Sequence, residues 1–208
     1  MRALPDVIPI FPLPNVVLFP HMPLPLHVFE PRYRKMVVDA LATHQTIGMT
    51  LLQPGWESDY EGRPPVYPVG CAGTIERSEA LADGRSNILL RGRTRFRLTG
   101  ERAGEPYRLA EVDALADHPG DPAEVESLRG AVVAVLGRSA DGTVSLVLQA
   151  ELPSDVFVNA LAQSLDLAPV EKQSLLDCDT IAARYERLLE ILEFQLLERA
   201  RGGGGTVH

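Results

Sequence analysis

Apolar positions follow two rhythms along this chain. Up to about Asp117 they fall in short runs, at residues 7–11, 16–19, 47–52, 66–75, 87–98 and 107–115, separated by clusters of Pro, Gly, Asp and Asn. That is the pattern of strands joined by turns. Asp83-Gly84 lies between two such runs and predicts a hairpin, because glycine supplies the positive φ of a tight turn at little cost. One helix interrupts the strands. Pro31 suits a first helical position, and Tyr33, Met36, Val37, Ala40 and Leu41 recur at helical spacing, predicting a helix over 31–43 across one opening of the sheet.

After Asp117 the period lengthens. Asp121-Pro122 opens a helix with Val125, Leu128, Val132, Val133 and Leu136 as its stripe, and Pro153-Ser154-Asp155 opens another carrying Phe157, Leu161 and Leu165. A short helix is expected near 170–176. A long one over 180–200 places Ile181, Tyr185, Leu188, Leu189, Leu192 and Leu196 on one face, and Glu186, Arg187, Glu190, Glu193 and Arg199 on the other. The fold class predicted is α+β, with a β-rich part over 1–117, a helical part over 118–200, and His118–Asp121 with Pro122 as linker. The glycine run in 201–208 predicts a disordered tail, since ordering it would cost backbone entropy with no core to offset it.

Composition adjusts this picture in a few places. About 45% of the 208 residues are apolar, enough for a real core, and no run approaches a membrane span. The first residues lack the pattern of a secretory signal, so the cytoplasm is the expected location. Cys71 and Cys178 stand alone and far apart, and are read as reduced and buried rather than as a disulfide or zinc framework. The net charge of −8 repels polyanions. Only Lys35 and Lys172 are lysines, so the arginine excess reflects coding composition before it reflects recognition.

Several stretches resemble the Lon N-terminal, substrate-binding family. They are Ile8-Pro9-Ile10-Phe11-Pro12-Leu13-Pro14-Asn15-Val16-Val17-Leu18-Phe19-Pro20, then Leu24-Pro25-Leu26-His27-Val28-Phe29-Glu30-Pro31-Arg32-Tyr33. Val69-Gly70-Cys71-Ala72-Gly73-Thr74-Ile75, Asp83-Gly84-Arg85, Gly92-Arg93-Thr94-Arg95-Phe96-Arg97, Pro106-Tyr107 and Ala110-Glu111-Val112 follow in order. The resemblance covers roughly residues 7–200. It implies a β-rich, PUA-like pseudobarrel followed by a helical bundle, and a role in engaging polypeptides. It implies no cofactor.

The same residues also have a structural reading. Pro9, Pro12, Pro14, Pro20, Pro23 and Pro25 remove donors, so their segment belongs at a sheet edge or wrapped round the barrel, not in a regular central strand. Phe29 and Tyr33 are expected to anchor the helix in the core. Glu30 is expected to accept from the first helical N–H groups, and Arg32 or Arg95 to pair with it or with a nearby carbonyl.

Catalytic patterns are missing from the residues. Neither lysine follows a phosphate-loop glycine, as an ATPase would require. Ser174 and Lys172, two apart on a helix, face different ways and make no dyad. The five histidines have no metal-ligand spacing. Two features remain as binding candidates. The loop over 53–68 holds Trp56, Tyr60 and Tyr67, and long aromatic loops are often binding surfaces; it is the expected peptide contact. Arg91, Arg93, Arg95 and Arg97 would share one face of a regular strand, either to hold RNA phosphates or acidic peptide, or as a solvated face. The acidic chain and the absence of alternating aromatics favour the solvated face. The partner that the resemblance implies is a polypeptide, with RNA as the alternative.

Overall fold

The computed structural model describes residues 3–59, 62–102, 106–137, 147–148 and 150–202. They form two compact units, Met1–Ala116 with Ala168–Leu176, and Asp117–Leu167 with Asp177–His208.

The first unit has six strands: β1 (Val7–Leu13), β2 (Pro23–Val28), β3 (Thr46–Leu51), β4 (Val69–Ala80), β5 (Ser86–Arg102) and β6 (Arg108–Leu115). Their order is β2-β5-β4-β3-β1-β6, and β5 also pairs with β6. Five strands thus close into a barrel and β2 stays outside the ring, hydrogen-bonded to β5 alone. Closure works because β5 is long: its first half carries β2, its second half carries β6, and β4 follows it from Ser86 to Arg97. Inside lie Ile8, Ile10, Ala72, Phe96, Ala110 and Val112, all buried. Phe96 fills the centre because Gly48 and Gly70 leave it room; a Cβ at Gly70 would stand 2.6 Å from its ring.

β1 is flanked by β3 and β6, which corrects the expectation that its prolines exclude a position between two strands. The strand divides the task. Residues 7–10 pair with β6 and residues 10–13 with β3, so Pro9 and Pro12 each have a ladder on one side only. Pro23 and Pro25 sit in β2 at the sheet's edge, as their missing donors require.

The run over 16–19 is not a strand. Bounded by Pro14, Asn15 and Pro20, it buries Val17, Leu18 and Phe19 as an irregular cover. It lies on the directly paired glycines Gly73 and Gly92, where a Cβ at Gly92 would be 2.0 Å from the Phe19 carbonyl oxygen.

Helix α1 (Pro31–Ala42) packs Tyr33, Met36, Val37 and Ala40 inward, with the Tyr33 ring 4.2 Å from that of Phe11. Two expectations at its start are corrected. Phe29 is 60% exposed, since it precedes the N-cap, and it stacks towards His27 instead of entering the core. Glu30 makes no side-chain cap; its carbonyl oxygen accepts from the Tyr33 and Arg34 N–H groups, while its carboxylate takes Arg32 Nε at 2.9 Å.

The second unit holds α2 (Pro122–Leu136), α3 (Ser154–Ser164) and α5 (Ile181–Gly202), while α4 (Pro169–Asp177) belongs almost wholly to the first. Asp121 caps α2 by accepting from the Ala123 N–H at 2.9 Å. Val125, Val132, Leu136, Phe157, Leu161, Ile181, Tyr185, Leu188 and Leu192 are buried, whereas Val133, expected in the stripe, is 37% exposed. The expected tail falls mostly outside the described residues, and α5 reaches Gly202.

Candidate functional site

The loop over 53–68 is drawn closed at its neck. Leu52 bridges Val66, the Gln53 N–H donates to the Pro65 carbonyl, and the Tyr67 N–H donates to that of Leu51, both at 2.9 Å. Gln53 Nε2 adds a third bond, to the Val66 carbonyl. These bonds hold the ends of the loop together, as at the neck of an Ω loop. Gly55, at φ 90°, turns the chain into a short 3-10 segment, Trp56–Asp59. Trp56 and Tyr67 are half-buried; Tyr60 lies outside the described residues.

The far side of the loop is held by Arg108. Its guanidinium bonds both carboxylate oxygens of Glu101 and donates to the Pro64 carbonyl at 2.8 Å. Arg63 adds a looser contact to Glu101 at 3.8 Å. These residues border a cavity of about 250 Å³, also lined by Pro12, Arg32, Tyr33 and Tyr107. Trp56 and Tyr67 are not among its described lining residues. The cavity combines rigid proline and tyrosine walls with guanidinium donors, so it can seat an apolar or polar side chain. No single segment reveals it, because its lining comes from β1, α1, the loop and the start of β6; the local hint was Pro106-Tyr107.

The arginine strand differs from the expected ladder. The β4–β5 register pairs Gly73 with Gly92 but Ala72 with Thr94, so Arg93 is the extra residue of a β-bulge. Arg91 pairs with Thr74 and Arg95 with Cys71, three residues apart on β4, so the two arginines point to opposite faces. Arg91 bonds Glu76 and the His21 carbonyl. Arg95 is buried, donating to the Leu176 carbonyl near the end of α4 at 2.9 Å and to that of Ala116 at 3.4 Å. It thus takes the carbonyl option of the expected pairing, while Arg32 takes the carboxylate of Glu30. Arg93 and Arg97 are exposed. The four side chains therefore do not build one cationic face.

A second buried arginine escaped the sequence reading. Arg184 is fully buried in the second unit, donating to Asn159 Oδ1 at 2.6 Å and Asp117 Oδ1 at 2.9 Å. Its spacing from Ile181 and Leu188, three and four residues away, was the available signal. Nearby, burial pushes the Tyr185 hydroxyl up to about 12, and that hydroxyl donates to the Ser154 carbonyl.

Cys71 and Cys178 are free thiols, the first buried and the second half-buried. Ser174 spends its hydroxyl on the Glu171 carbonyl at 2.8 Å. Among the described residues no group of three or more His, Cys, Asp or Glu could hold a metal, and no helix is long and apolar enough to cross a membrane.

Comparison with known proteins identifies the fold. Residues 7–193 match the family described as the ATP-dependent protease La (LON) substrate-binding domain. The chain belongs to this family. The Lon protease of Cytophaga hutchinsonii is 28% identical over 98% of this chain and 26% of its own length. Lon protease 2 of Desulfotalea psychrophila is 31% identical over 94% and 26%. The chain thus spans about a quarter of these relatives, and what matches is a Lon substrate-binding domain.

Among solved structures, a Lon N-terminal domain protein from Xanthomonas campestris superposes with TM-score 0.66 at 29% identity, covering 88% of this chain and 97% of that one. The N-terminal domain of a Mycobacterium avium complex Lon protease gives TM-score 0.70 at 15% identity over 90% and 98%, a likeness of fold alone.

Proposed function

We propose that this protein is a non-catalytic binding module that engages polypeptides, unfolded chains or a partner protein, as a cytoplasmic adaptor or quality-control factor. The observation that carries this reading is the match of residues 7–193 to a domain described by substrate binding. The loop over 53–68, with Trp56, Tyr60 and Tyr67, is the proposed contact surface. Support for it comes from a neck that fixes the loop on the barrel and from the proline-walled cavity on its far side, since a preorganised surface loses less entropy when it binds.

Trp56 is the only tryptophan, so its emission reports on this loop directly. Titration with an unfolded model polypeptide should give a saturable change in emission, without added nucleotide and without cleavage of the polypeptide. Trp56→Ala, followed by anisotropy of a labelled polypeptide, should weaken binding about tenfold, as expected for loss of an interfacial aromatic. Absence of saturable binding to any unfolded polypeptide would count against the whole reading.

A further inference from the structure

The barrel has a second mouth, away from the loop over 53–68: β3 ends beside that loop and begins at the other mouth. A cavity of about 470 Å³ opens there. Three strands bring inward-facing threonines to it. Thr74 lies two residues beyond Ala72 and Thr94 two before Phe96, both of them core residues, and Thr46 is the direct partner of Thr74. All three are half-buried.

Arg93 joins them through the β5 bulge. The extra residue re-aims a side chain that regular alternation would send outward, so Arg93 and Thr94 line the same cavity although they are neighbours in sequence. Neither the Arg93 guanidinium nor the Thr74 hydroxyl has a hydrogen bond or ion pair among the described residues. The turn before β3 completes the rim. Gln45 is held in the left-handed region at φ 57°, which costs an L-residue energy, and its main chain is fixed there by bonds to the Ala40 carbonyl and from the Ile75 N–H. His44 Nδ1 accepts from the Thr46 N–H at 3.2 Å. Burial holds this imidazole below its ordinary range, so the neutral ring carries its proton on Nε2, as a donor.

The rim therefore offers a guanidinium, an imidazole N–H, an amide and hydroxyls, and its described lining holds no carboxylate. Asp6, next in sequence to the lining Pro5, is exposed, and Glu76, two residues past Thr74, is taken by Arg91. Thr46 Oγ1 and Thr94 Oγ1 rest on main-chain carbonyls at 3.1 and 3.3 Å, bonds that a hydroxyl rotor can exchange for a charged acceptor. Leu4, Pro5 and Ala72 add an apolar wall. The net charge of −8 opposes every anion at long range, so capture depends on these donors at contact, charges beyond about 8 Å being screened at physiological ionic strength.

We propose that this mouth of the barrel binds a small phosphate monoester, with Arg93 and Thr74 on the phosphoryl oxygens and the apolar wall against the organic part. A phosphoryl group suits the site better than a carboxylate. The donors come from β3, β4, β5 and the turn before β3, not from one plane, and a phosphate monoester presents three strong acceptor oxygens to them. The cavity has the size of a small-molecule site, about 300–1,000 Å³, so it has room for more than the phosphate itself. A polynucleotide is the poorer occupant, since it needs a track of cations and this mouth supplies one. The site is separate from the loop over 53–68, and its occupancy does not depend on polypeptide binding.

Calorimetric titration of the full chain with phenyl phosphate tests it, with inorganic phosphate, benzoate and oligouridylate as comparisons. Phenyl phosphate should saturate at one site per chain, at millimolar concentration or below, ahead of inorganic phosphate and well ahead of benzoate. Arg93→Ala should weaken its binding about tenfold or more, as for loss of a hydrogen bond to a charged group, and Thr74→Val about threefold. Arg93 is exposed and unpaired, so its replacement should leave the melting temperature of the unliganded protein unchanged. Arg97→Ala, at another exposed arginine of β5, should leave binding unchanged, which separates this site from general charge. No saturable binding of phenyl phosphate would overturn the proposal, as would an equal loss in Arg97→Ala. Benzoate binding as tightly as phenyl phosphate would overturn the phosphoryl assignment, and inorganic phosphate binding as tightly would overturn the role of the apolar wall. Oligouridylate that displaces phenyl phosphate and loses its own binding in Arg93→Ala would also overturn the proposal, assigning the mouth to a polynucleotide.

Discussion

Arg95 and Arg184 are long cationic side chains withdrawn from water, and each is fully engaged. Arg95 satisfies carbonyl groups of Leu176 and Ala116, the first near a helix C-terminus where a cation is favoured. Arg184 joins Asp117 to Asn159 across the second unit. Removing either takes a charged donor away from these groups. Arg184→Ala should lower the unfolding free energy by about 3–5 kcal/mol, measured by urea denaturation, because it strands a partly buried carboxylate. Arg95→Ala should cost about 2–3 kcal/mol by the same measurement, since it takes a charged donor from the buried Leu176 carbonyl and from that of Ala116. Tyr185 gives a pH test. Its folded value of about 12 exceeds the ordinary 10, so the neutral phenol is preferred in the fold. The stability it contributes is intact below pH 10 and is lost as pH rises from 10 towards 12. Alkaline melts should show this loss in the wild type and less of it in Tyr185→Phe.

At the level of elements, glycine placement decides the barrel. Gly70 faces both Phe96 and the Met49 carbonyl, and a Cβ there would be 2.5 Å from that oxygen. Because the obstacle is backbone, Gly70→Ala should destabilise by about 2–3 kcal/mol, read as a lower urea midpoint with an unchanged slope. The β5 bulge shows why the arginine ladder misled. Period-2 counting predicts a shared face for residues 91 to 97, but one extra residue at Arg93 reverses the alternation, and the bulge depends on β4, a different segment. Helix α1 was legible from Pro31 and its apolar spacing, whereas the outward turn of Phe29 was not, since a residue just before an N-cap has no helical phase. The prolines of β1 were legible as a restriction on pairing. How one strand meets it, by changing neighbour at Ile10, depends on the positions of β3 and β6.

For the whole molecule, the binding readings make separable predictions. Polypeptide binding should move Trp56 emission. Binding of single-stranded RNA should be weak and unsaturable even at low salt, because Arg95 is buried, Arg91 is paired, and net charge opposes the polyanion. Filter binding across a salt series checks this. The sequence alone determined the family, the succession of strands and helices, the helix start at Pro31 and the hairpin at Asp83-Gly84. These depend on local periodicity and backbone chemistry, which a linear string retains. Only tertiary structure decided which arginines are buried, that α4 joins the barrel unit, and which apolar side chains remain outside. Those outcomes are set by contacts between residues far apart in the chain, such as Arg95 with Leu176, and no local pattern encodes them.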